Sequence, residues 1–84
     1  MNFGQAIEEL KANKTMQRQG WNGKGMHIYL EAGIEKGTKI YEPVICMYTA
    51  NQTIQPGWSA SQADILAEDW DEVVFTKYLS ALGK

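Results

Sequence analysis

The segment Gly20-Trp21-Asn22-Gly23-Lys24-Gly25 constrains the fold of this chain more than any other. Glycine tolerates the positive φ that a tight reversal demands, and Asn-Gly is the strongest short signal for a hairpin turn. On its C-terminal side Met26, Ile28 and Leu30 alternate with His27, Tyr29 and Glu31, the period-two pattern of a half-buried strand. On its N-terminal side residues 14–19 alternate weakly and fit a short strand. Such a hairpin must cover one face, so the chain is expected to build an antiparallel sheet and lay helices on it.

The opening residues supply the first helix. Asn2 is a good N-cap with Gln5 three positions on, the spacing of a capping box. Phe3, Ala6, Ile7 and Leu10 fall on one face and Glu8, Glu9 and Lys11 on the wet one, with Asn13 as a left-handed stop. A helix of about three turns does not stand alone in water, so it must lie on the sheet. Residues 32–39 are polar, contain Gly33 and Gly37, and read as a loop. A strand is predicted from Val44 to Thr49, with Pro43 at its start or edge. Ala50-Asn51-Gln52 turns the chain and Thr53-Ile54-Gln55 returns it. After Pro56-Gly57, Ser59 or Ser61 caps a short helix whose apolar side is Ala63, Ile65, Leu66 and Ala67. Trp70 to Phe75 reads as the last strand. The fold class is therefore α+β: an N-terminal helix on a small antiparallel sheet, with a short helix before the final strand. Residues 1–75 make one domain and 76–84 a C-terminal tail with a weak amphipathic pattern.

Composition narrows the function. Eight Lys and Arg against ten Asp and Glu give a net charge of -2, which disfavours a DNA or RNA clamp. No apolar run approaches the roughly 20 residues of a membrane span, and the opening residues lack a charged-then-apolar leader, so the expected location is the cytoplasm. Cys46 is the single cysteine, which excludes an internal disulfide or a cysteine-built zinc site. His27 has no partner at metal-ligand spacing, so no metal or cofactor is expected. At 84 residues the chain buries only a modest fraction of its surface, yet it carries three Trp, four Tyr and two Phe. Some of these should be exposed or lie between subunits, so an oligomer is expected.

Three clusters could carry chemistry. In the first, Trp21 stands beside glycine backbone that a ligand can approach closely, with Lys24 in the turn and Arg18 near it. Trp21 can stack on a base while Arg18, Lys24 and the free N–H groups of the glycine-rich turn meet a phosphate; the competing reading is a tight hairpin whose Trp covers the core. In the second, Trp58, Ser59, Ser61, Gln62 and Asp64 surround a helix start that offers N–H groups to an anion, or simply cap the helix. In the third, Glu68, Asp69, Asp71 and Glu72 flank Trp70. They suit ribose hydroxyls, a hard metal or acid–base work, or form a solvated acidic turn. No nucleophile–base pair stands out. The residues alone point to a small binding module.

Asn2-Phe3-Gly4-Gln5-Ala6, Arg18-Gln19-Gly20-Trp21-Asn22-Gly23-Lys24-Gly25-Met26, and the run from Trp58 to Trp70 with its Ala67-Glu68-Asp69-Trp70 ending occur in this order. Together they resemble a small phage and prophage domain, the second type of Thoeris anti-defence protein, over residues 1 to about 75. The resemblance implies a sponge that sequesters, without cleaving, the cyclic ADP-ribose isomer made as an alarm signal by Thoeris defence, 1′′–3′ glycocyclic ADP-ribose in the best-known case. It also implies a homotetramer with pockets between protomers, and in some relatives separate sites for cyclic dinucleotides. Carried onto this chain, it makes Trp21, Asn22, Gly23, Lys24, Arg18, Trp58, Ser61, Asp64 and Asp69 the candidate ligand-binding residues. Trp21 would stack on adenine, Lys24, Arg18 and the Gly23–Gly25 backbone would face pyrophosphate, and Asp64 and Asp69 would accept ribose hydroxyls. Trp70 is the tryptophan assigned to the fold.

Two other classes of function compete. A phage accessory module would use exposed tryptophans to contact a host protein, and a small hydrolase would use Asp64, Asp69 or Glu68 to consume the nucleotide. The sponge returns its ligand intact, the module binds no nucleotide, and the hydrolase alters it.

Overall fold

A computed structural model describes residues 1–21 and 25–74. Helix α1 spans Phe3–Lys11 and opens as its sequence dictates. The Asn2 side chain accepts from the Gln5 N–H at 2.8 Å, and the Asn2 N–H donates to Gln5 Oε1 at 2.9 Å. This box satisfies two of the donors that a helix start leaves orphaned. Ala12 closes the helix and Asn13 follows at φ 66°, the left-handed stop expected of it.

The strands are β1 (Met16–Arg18), β2 (His27–Glu31), β3 (Ile34–Lys36), β4 (Lys39–Tyr41), β5 (Val44–Tyr48), β6 (Ile54–Pro56) and β7 (Trp70–Glu72), with helix α2 (Gln62–Leu66) between the last two. Five of them form an antiparallel sheet in the order β6-β5-β2-β1-β7. The glycine-rich segment joins β1 to β2, with Met16 opposite Ile28. The last strand does not extend the sheet beside β6. It crosses to the far edge and pairs with β1, with Arg18 opposite Trp70.

This register decides what is buried. Met16, Ile28 and Met47 stand in a row across the three central strands. Ala6 and Leu10 of α1 cover them, and Trp70 closes the β7 side, so that these six residues form the core. Phe3, Ile7, Trp21, Met26, Ile45, Trp58 and Ala67 pack around it. Cys46 points to the opposite face from its neighbour Met47 and is also buried.

Three expectations are corrected. Residues 32–39 are not simply a loop: β3 and β4 form a two-stranded hairpin with Lys36 opposite Lys39. Gly37, at φ 64°, provides the backbone handedness that so short a reversal requires. The apolar side assigned to α2 is not its buried side. Ile65 and Leu66 are exposed, Leu66 by 75%, and the residue this helix buries is Asp64. The final strand stops at Glu72, short of the predicted Phe75. Phe75 itself, with the 76–84 tail, lies outside the described residues.

Candidate functional site

The end of β1 is bound residue by residue to the segment that runs from α2 into β7. Arg18 donates through Nε to Asp69 Oδ1 at 2.8 Å and through Nη1 to Asp64 Oδ1 at 3.0 Å. The Gln19 N–H donates to the Asp69 carbonyl at 3.2 Å. The Gly20 N–H donates to Asp69 Oδ2 at 2.8 Å. The Trp21 indole Nε1–H donates to Asp64 Oδ1 at 3.2 Å. Four consecutive residues are thus anchored across the sheet edge to two aspartates.

The capping box of α2 explains why Asp64 can serve there. Ser61 Oγ accepts from the Asp64 N–H at 3.1 Å while the Ser61 N–H donates to Asp64 Oδ2 at 3.0 Å. One carboxylate oxygen therefore holds the helix start and the other holds Arg18 and Trp21. The Asp64 carbonyl in turn accepts from the Trp70 indole at 3.0 Å. The box ties up the Asp64 N–H and the helix has only five residues, so the helix start is engaged within the fold.

The charges follow from these contacts. Burial alone would push the Asp64 carboxyl up, but the Ser61 N–H, Arg18 and Trp21 outweigh it and hold the group below the ordinary carboxylate range. Arg18, with help from the Gly20 N–H, holds Asp69 low as well. The two carboxylates raise Arg18 in return. Both aspartates are ionised at neutral pH, and one arginine faces both of them.

All three tryptophans gather against this network. Trp21 meets Trp70 edge-on at 5.3 Å between ring centroids and Trp58 at 6.2 Å, and Trp58 meets Trp70 at 6.3 Å. Edge-to-face packing at these separations is the favoured geometry for aromatic rings. Trp70 is 2% exposed and belongs to the core, as its assignment to the fold requires, whereas Trp21 and Trp58 are half-buried. The Trp58 backbone is held to β5 through the Ile45 carbonyl at 2.9 Å.

The structure therefore brings Arg18, Trp21, Trp58, Ser61, Asp64 and Asp69 into one cluster. Asn22, Gly23 and Lys24 lie outside the described residues, between Trp21 and Gly25. Gly20 was not among the sequence candidates, yet a Cβ there would stand 2.9 Å from Asp69 Oδ2. Its signal was the turn composition, which marks a bend without saying what lies against it. His27 lies on the opposite face of β2 from Ile28, stacked on Tyr48 at 5.0 Å. Among the described residues no cluster of His, Cys, Asp or Glu is arranged to hold a metal ion, and no helix is long and apolar enough to cross a membrane.

Residues 1–73 match the family described as the Thoeris anti-defense 2-like domain, or Tad2-like. The chain is also similar to a protein of Bacillus phage SP01 called Thoeris anti-defense 2, with 42% identity over 85 residues that cover 87% of this chain and 94% of that protein. The family match contains α1, the whole five-stranded sheet and every residue of the aspartate–arginine–tryptophan cluster. This chain belongs to the Thoeris anti-defense 2-like family.

Proposed function

We propose that this protein counters Thoeris defence as a sponge: it binds a cyclic nucleotide alarm signal and holds it intact, so that the Thoeris effector is not activated. The anti-Thoeris role rests on the family and on the relative named for it. The proposed ligand is 1′′–3′ glycocyclic ADP-ribose, with cyclic dinucleotides as a further class.

The observation that carries the binding reading is the half-buried pair Trp21 and Trp58, set against a fixed polar network beside the glycine-rich loop. An aromatic wall next to backbone that allows close approach suits a nucleotide base. The state of the carboxylates favours holding over cleaving. A general acid must carry a proton at working pH, and a general base works best with a pKa near neutrality. Both carboxyls are held low, Asp64 by Arg18, Trp21 and the Ser61 N–H and Asp69 by Arg18 and the Gly20 N–H. In this reading Lys24 and the backbone around it meet the pyrophosphate, because Arg18 is already committed to two carboxylates.

Nanomolar sequestration needs about 12 kcal/mol, well beyond one stacked ring. Enclosure between protomers of a homotetramer supplies the remainder by burial. The exposed side chains of Ile40, Ile54, Leu66 and Val74 are apolar surface that self-association would cover. The protein acts in the host cytoplasm, where the signal is made. Calorimetry of the purified protein with 1′′–3′ glycocyclic ADP-ribose tests the proposal. Tight, saturable binding supports it. Absence of binding to this isomer and to cyclic dinucleotides removes it and leaves a module that contacts a host protein.

A further inference from the structure

We infer that Asp64 is a positioning residue that orients the Trp21 ring for its ligand through the bond between its Oδ1 and the Trp21 indole N–H. The inference rests on the binding reading above and adds the group that controls the aromatic wall. Its basis is geometric. Trp21 lies where the chain leaves β1 and enters the glycine-rich loop. Its aromatic neighbours, Trp58 and Trp70, meet it edge-on. The indole N–H has one polar partner among the described residues, Asp64 Oδ1 at 3.2 Å. That oxygen is itself fixed, because Arg18 holds it at 3.0 Å and the sister oxygen is held by the Ser61 N–H at 3.0 Å.

The other charged groups around Asp64 are fixed too. Arg18 faces it from β1 and Asp69 shares that arginine from the turn before β7. Ser61 faces it from α2 and Trp70 binds its carbonyl. A carboxylate held from three sides is a rigid reference point, and a ring bonded to it loses little further freedom when a base stacks on it. Pre-organisation of this kind raises affinity without adding a ligand contact.

The test is a double-mutant cycle on affinity for 1′′–3′ glycocyclic ADP-ribose, using Asp64→Asn, Trp21→Phe and both together. The ligand-free indole N–H signals are read by NMR. Asp64→Asn should weaken binding by up to about tenfold, the cost of ordering one freed side chain on binding, and should shift the Trp21 signal while Trp58 keeps its own. In the Trp21→Phe background, where no indole N–H exists, the same change should have less than a twofold effect. Equal effects in both backgrounds overturn the inference, as does an unmoved Trp21 signal. If Asp64→Asn does not fold, hydrogen exchange of the Trp21 indole in the unaltered protein decides: exchange as fast as that of an exposed indole overturns the inference, and protection supports it. If the unaltered protein binds no nucleotide, the sponge reading fails by itself, and the indole signal still judges whether Asp64 sets the ring.

Discussion

Replacing Trp70 by Phe isolates what the indole contributes beyond a six-membered ring. Trp70 is 2% exposed, packs against Phe3 at 5.6 Å and Trp21 at 5.3 Å, and donates to the Asp64 carbonyl at 3.0 Å. The variant loses that bond, a net cost of about 1 kcal/mol, because the Ala67 N–H still reaches the same carbonyl at 3.4 Å. It also leaves a gap where the outer part of the benzo ring stood. Roughly 40 Å² of lost apolar contact at about 25 cal/mol per Å² adds about 1 kcal/mol. The sum is about 2 kcal/mol. A domain of this size has a total stability of about 4–13 kcal/mol and a urea dependence near 1 kcal/mol per M, so the midpoint should fall by about 2 M. Trp70→Ala, at about 3–5 kcal/mol, should leave the fold near its limit. Urea unfolding followed by circular dichroism, at one fixed protein concentration, reads both values. A loss below about 0.5 kcal/mol in Trp70→Phe would refute the tight packing of the cluster and the hold of Trp70 on α2.

Other perturbations probe neighbouring parts. Gly20→Ala places a methyl 2.9 Å from Oδ2 of Asp69, whose carboxylate is held by Arg18 at Oδ1 and by the Gly20 N–H at Oδ2, so it should cost about 1–3 kcal/mol and weaken nucleotide binding; wild-type stability and affinity would count against the close approach. Ser61→Ala removes the cap of α2 and should cost about 1 kcal/mol in the same urea assay, with no loss expected if the box were absent. Acid should act in two stages. Burial lowers the His27 pKa despite its bond to Gly25, so the unfolded chain takes up that proton first and stability falls as pH drops below about 6.5. Asp64 and Asp69 are held low in the fold, so their contribution is complete above about pH 4 and is lost as pH falls through their folded values. His27→Phe should abolish the first stage, and Asp64→Asn should shrink the second; a thermal melt series between neutral and acid pH separates them.

Local patterns were legible in the sequence, and long-range pairings were not. The Asn2–Gln5 and Ser61–Asp64 boxes depend on groups three residues apart, so spacing alone announces them. Strand β2 shows its alternation because one face carries the fully buried Ile28 and the half-buried Leu30. The β3–β4 hairpin shows none. Its described positions are exposed and charged residues occupy both sides, so Gly37 was its only mark. In the sequence Asp64 fits a ligand acceptor or a helix cap, but its bond to Arg18 spans 46 positions and no pattern in the chain forecasts it. The exposure of Ile65 and Leu66 has a related cause. The side chain that pins α2 to the sheet is the aspartate, and a five-residue helix cannot present both Asp64 and its apolar residues to the same surface.

A sponge holds its signal and does not consume it, and mass balance separates the two. A known amount of 1′′–3′ glycocyclic ADP-ribose is mixed with excess protein and filtered, and the retained fraction is heated and analysed by mass spectrometry. If the protein is a sponge, free ligand disappears in proportion to protein and returns on heating with unchanged mass and retention time. Ligand that passes the filter unretained, or that comes back altered, would contradict it.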